Sequence, residues 1–169
     1  MAPLGDDLIE LQGQLGKGSV RRAYGAIIGY LSQLRSNYVA RHGERAVSAL
    51  YQGCFDMTYF ALLPPALKSR GLKLAIVFDY TSFVFEVWLA ARNRTLQRHY
   101  WQLFQDNGWS KYRLVEPAAG IDAIIERAVA DALGLEEPEV LTSRIEASVQ
   151  AFLDDLVGFL DVHDQQEAT

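Results

Sequence analysis

The stretch Lys73-Leu74-Ala75-Ile76-Val77-Phe78-Asp79-Tyr80, Thr81-Ser82, Phe83-Val84-Phe85-Glu86-Val87-Trp88-Leu89-Ala90-Ala91 decides the fold. Both runs are rich in β-branched and aromatic residues, and the polar pair between them marks a turn. Setting Tyr80 beside Phe83 places Phe78 opposite Phe85, Ile76 opposite Val87 and Leu74 opposite Leu89, so one face of the hairpin is wholly apolar. The other face carries Lys73, Ala75, Val77 and Asp79 against Ala90, Trp88, Glu86 and Val84. A four-residue connection with the same pairing keeps both faces, so the reading does not depend on the turn type.

Upstream, Val20, Tyr24, Ile27, Ile28, Leu31, Leu34 and Tyr38 recur at helical spacing and predict a long helix from Ser19 to Ala40, ended by His42-Gly43. A short strand is expected over Val47 to Tyr51. Cys54 to Leu62 alternates, with Phe55, Met57, Tyr59 and Ala61 on one side and Cys54, Asp56, Thr58 and Phe60 on the other, until Pro64-Pro65 stops the strand. Downstream, Asn93 can cap a helix running to Gln105 with Leu96, Tyr100, Leu103 and Phe104 as its stripe. Lys111 to Val115 predicts a final strand. Two C-terminal helices follow, one marked by Ile121, Ile124, Ile125, Ala128, Val129, Ala132 and Leu133, the other by Leu141, Ile145, Val149, Phe152, Leu156 and Leu160 after Pro138.

These elements imply an α+β fold: a mostly antiparallel sheet of four to five strands packed against a long N-terminal helix, a middle helix and two C-terminal helices. The expected organisation is a flexible or short helical segment over 1–16, where Gly13, Gly16 and Gly18 interrupt the helix, one domain over 17–162, and a disordered tail over 163–169. A chain of 169 residues with half its residues apolar can bury a core without staples. The lone Cys54 excludes an intrachain disulfide framework. The N-terminus lacks the basic and apolar regions of a secretory signal, and no apolar run suits a membrane span, so a soluble cytoplasmic protein is expected.

Charge is sorted along the chain. Residues 17–113 hold fourteen Lys and Arg against five acids, residues 114–169 hold thirteen acids against Arg127 and Arg144, and the first sixteen residues add Asp6, Asp7 and Glu10. A basic body with an acidic C-terminal section implies an anionic partner, or a basic surface screened by the chain's own C-terminal helices.

Three residue sets are candidates for chemistry. Asp56 and Thr58 on one strand, with Glu86 and Trp88 on another, define a polar sheet side on which Asp56 and Glu86 can hold a divalent cation through oxygen. The alternative is that both acids make ordinary sheet contacts. Arg92, Arg94 and Arg98 sit at a strand-to-helix junction, where free helix N–H groups favour a phosphate or carboxylate, yet the segment has no glycine-rich loop and its arginines can equally pair with C-terminal acids. Tyr51, Tyr59, Trp88, Trp101, Trp109, Lys111, Tyr112 and Arg113 interleave rings and cations as single-strand binding surfaces do, and as ordinary core and rim packing does. The three histidines show no metal-ligand spacing, and Cys54 reads as a small packed side chain.

The order helix, strands, helix, strand over Ser19 to Val115 resembles the core of the restriction-endonuclease-like nucleases, which use an acid on one strand and an acid-x-Lys on the next. Here Trp88 stands two places after Glu86, where that resemblance implies a lysine. More of the chain, from Lys17 to about Leu160, resembles an uncharacterised family of small bacterial cytoplasmic proteins. The likeness lies in Lys17-Gly18-Ser19-Val20-Arg21-Arg22-Ala23-Tyr24, Tyr51-Gln52-Gly53 with Asp56-Met57-Thr58-Tyr59-Phe60, and Phe85-Glu86-Val87-Trp88-Leu89-Ala90. It implies no mechanism.

The leading expectation is a non-enzymatic binding protein that recognises an anionic ligand or a protein partner through Arg92, Arg94 and Arg98, with Trp88 and Tyr59 as packing surface and no cofactor. The competing expectation is a metal-dependent phosphodiesterase or nuclease using Asp56 and Glu86. A homodimer through the C-terminal helices is a third possibility; nucleic acid is a further possible partner and a membrane is not.

Overall fold

The computed structural model describes residues 3–164. Its centre is the hairpin of β2 (Leu72–Asp79) and β3 (Val84–Ala91), paired in the expected register with Leu74 opposite Leu89 and Phe78 opposite Phe85. The connection is the four-residue one, closed by Phe83 N–H donating to the Asp79 carbonyl at 2.8 Å. The Asp79 carboxylate accepts from Thr81 N–H at 2.7 Å and Ser82 Oγ at 3.0 Å, which stabilises the turn although Phe83 sits at φ 59°.

β1 (Met57–Leu62) adds antiparallel to β2, while β5 (Ala123–Asp131) and then β4 (Arg113–Leu114) extend the other side, giving one antiparallel five-stranded sheet in the order β1-β2-β3-β5-β4. The stretch expected as the first C-terminal helix is therefore β5. Its pairing with β3 slips between Phe85 and Glu86 and again between Leu89 and Ala90, leaving Val129 and Ile124 as extra residues. Each bulge shifts the alternation by one, so Ile124, Ile125, Ala128 and Val129 imitate a helical stripe although the chain is extended. Val47 and Tyr51 make only isolated bridges, to Leu62 and Tyr59.

One sheet face is buried under α2 (Ser19–His42), α4 (Arg94–Asp106) and α5 (Pro138–His163). The buried residues of α2 are Ile27, Leu31, Leu34 and Tyr38, and every member of the expected α5 stripe is buried. They close on Phe60, Leu74, Ile76, Phe78, Phe85, Val87 and Leu89. The opposite face is left to strand side chains, with half-buried Tyr59, Glu86, Trp88 and Glu126 standing around buried Ala61, Ala75 and Val77. β1 starts at Met57, because Cys54 to Asp56 form a bend after Gly53. Gly53 has φ 71°, and a Cβ there would lie 2.0 Å from the Met57 carbonyl oxygen, so only glycine fits.

α1 (Leu4–Gly16) is a full helix despite its glycines and packs beside the start of α2. At the other end, α5 continues through His163, and Asp164 pairs with Arg70 beyond α3 (Pro65–Lys68). The remainder of the expected tail, 165–169, lies outside the described residues. No described helix is long and apolar enough to cross a membrane.

Candidate functional site

The sheet does not bring Asp56 and Glu86 together. Thr58 pairs with Phe78 and faces the core, fully buried, where its hydroxyl donates to the Gln52 carbonyl at 2.6 Å and shares a hydrogen bond with Tyr80. Glu86 pairs with Val77, opposite Tyr59, and stands on the other face. β2 also lies between β1 and β3, so roughly two strand spacings of about 4.8 Å each, plus three residues of rise, separate the two carboxylates. Asp56 is instead a turn residue: its Oδ1 accepts from Cys54 N–H at 2.8 Å, and that bond, with one from Met57, holds its carboxyl below the usual range. Glu86 accepts from its own neighbour, Trp88 Nε1, and its charge is felt by Glu126 on β5. Residues 19–115 do run helix, strands, helix, strand, but β5, which lies beyond that span, inserts between β3 and β4 in the sheet. No group of three or more acids, histidines or cysteines suited to a metal exists among the described residues.

The five expected ligand residues are dispersed. Asn93 caps α4 as expected, accepting from Leu96 N–H at 2.9 Å. Arg94 binds the segment before β5: it donates to Gln97 Oε1 and to the carbonyls of Ala118 and Ile121, and lies 3.3 Å from Asp122. Buried Gln97 completes this clamp by donating to the carbonyls of Ile121 and Ala123. Arg92 and Arg98 are exposed on either side of it. Trp88 and Tyr59 share the helix-free sheet face, where the Tyr59 ring lies 5.2 Å from Tyr51 and 5.9 Å from Lys73 Nζ. The aromatic and basic set is divided too, because Trp109 and Tyr112 pack among Phe104, Phe152 and Phe159.

A cavity lies elsewhere, between the C-terminal turns of α2, the turn at Glu44–Ala46, the Pro64-Pro65 corner, α3 and the middle of α5. It is a half-open groove of about 1100 Å³. Leu62, Leu74, Val149 and Leu153 form its floor and wall, and Tyr38 stands at its inner side. Burial, reinforced by the charge of Glu146, pushes the Tyr38 phenol up to about 12, so it is a neutral hydroxyl at any physiological pH. The rim is basic: Arg41, His42, Arg45 and Lys68, against Glu146 as its one acid.

These rim charges differ in how they are used. Arg41 is bound to Glu146 and lies 4.9 Å over the Tyr38 ring, which fixes α2 to α5. Arg41 also occupies the last turn of α2, where a cation offsets the helix dipole. Arg45 and Lys68 form no ion pair among the described residues, and each stands in the last turn of only a short helix, Glu44–Ala46 and α3. Each is placed by the backbone: Gly43, at φ 85°, turns the chain off α2 and into Arg45, while Pro64-Pro65 starts the helical turn that carries Lys68. No periodic signal in the residues marks this groove, because its lining comes from several separate segments of the chain. Lone cations beside Gly43 and Pro65 were its nearest legible trace.

Fold and groove together define an α+β domain in which an antiparallel sheet, covered by helices on one face, opens at one edge into an apolar pocket with a cationic mouth. Residues 4–160 match the family model of a domain of unknown function, DUF7000, and the chain belongs to that family. No curated protein and no solved structure matches it.

Proposed function

We propose that this protein binds an amphiphilic anion, an apolar body with a carboxylate or phosphate headgroup, in the groove between α2, α3 and α5. The observation that carries the reading is the combination of a large apolar cavity with two exposed cations at its mouth, Arg45 and Lys68, that no acid of the described chain neutralises. Small-molecule sites are typically concave, mostly apolar and supplied with a few convergent polar groups, and this groove has that make-up at the upper end of the usual size. The apolar floor would take the ligand body, Arg45 and Lys68 its charge, and the Tyr38 hydroxyl can donate to a headgroup oxygen. The anionic-ligand expectation is thus kept, and its address moves from Arg92, Arg94 and Arg98 to the groove.

Titration with dansyl-undecanoic acid, followed by fluorescence and competed with oleate, tests this reading. One saturable site is expected. Arg45→Glu with Lys68→Glu should weaken binding by about tenfold or more, and Val149→Trp, which fills the floor, should abolish it. Arg94→Ala with Arg98→Ala should leave it unchanged. Equal affinity for the uncharged methyl ester would remove the headgroup from the argument, and binding unaffected by Val149→Trp would remove the groove.

A further inference from the structure

We infer that the groove selects ligands in which an amide joins the apolar body to the charge, with Tyr38 donating to the amide carbonyl and Glu146 accepting from the amide N–H. This deepens the reading above and rests on it. Tyr38 is only 5% exposed, yet its hydroxyl bonds to none of the described residues. The two other tyrosines of α2 are satisfied: Tyr24 donates to the Gln52 carbonyl, and Tyr30 shares a hydrogen bond of 3.0 Å with Thr142 of α5. Buried tyrosine hydroxyls ordinarily find a partner within the protein. For Tyr38 the remaining outlet is the groove that it lines, where solvent serves the hydroxyl until a ligand expels it. A plain alkyl chain laid there would strand the donor, whereas a carbonyl oxygen would replace the lost water.

Glu146 supplies the complement. It lines the same groove, and its charge is felt at the Tyr38 hydroxyl. An acid in the mouth of an anion site opposes the ligand unless it has another task. Its Oε1 accepts from Arg41, which offsets the charge, while Oε2 makes no bond among the described residues and keeps acceptor positions for an N–H. A neighbouring donor and acceptor are the counterpart of an amide. An ester has no N–H and a free fatty acid lacks both groups along its body, so neither matches the pair. The order of features agrees as well. Arg45 and Lys68 are exposed at the rim, whereas Tyr38 lies four residues, about 6 Å along the helix axis, before the His42 end of α2, and long helical side chains lean further back towards the N-terminus. The charged end stays at the rim while the linkage reaches inward. An N-acyl amino acid has this construction.

Isothermal titration calorimetry of the full chain with pentadecanoate, O-lauroylglycolate and N-lauroylglycine is the test. These anions have the same length and charge and differ in linkage: methylenes, an ester and an amide. Affinity should rise in that order, with N-lauroylglycine about tenfold or more tighter than pentadecanoate. Tyr38→Phe, which keeps the ring that Arg41 covers, should bring the ester down to the affinity of pentadecanoate. Glu146→Leu releases Arg41 and so alters every affinity, but it should erase the preference for amide over ester. Each comparison is a ratio within one variant, so a general effect on fold or charge cancels. Equal affinity of the parent for all three anions would overturn the amide assignment and leave the groove standing as a site for amphiphilic anions. A carbonyl preference that persists in Tyr38→Phe, or an amide preference that persists in Glu146→Leu, would overturn it too. Failure of all three to bind would overturn the groove reading along with it.

Discussion

Glu86 shows what a single side chain experiences on the helix-free sheet face. Burial pushes its carboxyl upward, partly offset by the hydrogen bond from Trp88, and burial together with the charge of Glu86 pushes Glu126 upward as well. Arg113, 3.3 Å from Glu126, offsets part of this. A carboxyl whose folded-state pKa is raised binds more protons folded than unfolded, so its contribution to stability falls as pH rises above the ordinary value of 4.5. Glu86→Gln, which keeps an oxygen for Trp88, should therefore raise the melting temperature by roughly 1–3 °C at pH 7 and by less at pH 4. Melting curves at the two pH values check this, and an equal or negative shift at both would refute the desolvation account. Thr58 illustrates the limit of reading at this scale. Alternation told which residues of β1 share a face, but a buried threonine with two partners looks in sequence like an exposed one.

Among the elements, those built from one uninterrupted period were legible. The α2 and α5 stripes, the Asn93 cap and the hairpin register all stand where the residues put them, since each depends on neighbours three or four apart or directly across one turn. β5 was not legible, because its two bulges convert alternation into an apparent helical repeat. The end of α5 was missed for another reason: its polar residues look solvated until α3 is placed beside them. Arg70, whose side chain is 19% exposed, binds Asp161, Asp164 and the Ala66 carbonyl and ties α3 to that end. Arg70→Ala should cost about 1–2 kcal/mol in urea denaturation, with faster amide exchange confined to the last turns of α5. A cost below a few tenths, with unchanged exchange, would make the cluster a surface ornament.

Across the whole molecule part of the sorted charge is screened by the chain itself. Arg41, Arg70, Arg94, Lys111 and Arg113, all in the basic body, are matched by Glu146, Asp161 with Asp164, Asp122, Asp155 and Glu126 from the acidic section. Of the two meanings of that sorting, self-screening accounts for these five of the fourteen, and Arg45 and Lys68 are the two cations to which the proposed ligand is assigned. Asp155 makes the consequence measurable. Lys111 and then Tyr112, by hydrogen bonds, hold its carboxyl below the ordinary 3.8, so its contribution is present above that value and disappears as pH falls through the lowered one. Asp155→Asn should lower the melting temperature at pH 6 and converge on the parent below about pH 3. That dependence is opposite in sign to the one at Glu86. A constant offset across the range would mean that Asp155 acts by packing instead.

Sequence by itself determined the α+β class, the hairpin and its register, the two long helices and the sorting of charge, because these are written in periods and pairings a few residues long. Tertiary structure alone decided which face of β1 enters the core, that the bulged segment before α5 is a strand, where the groove lies and which cations are spent on ion pairs. Each of these depends on groups distant in the chain, as Arg41 and Glu146 are at 105 residues apart, and only the folded backbone sets such groups side by side.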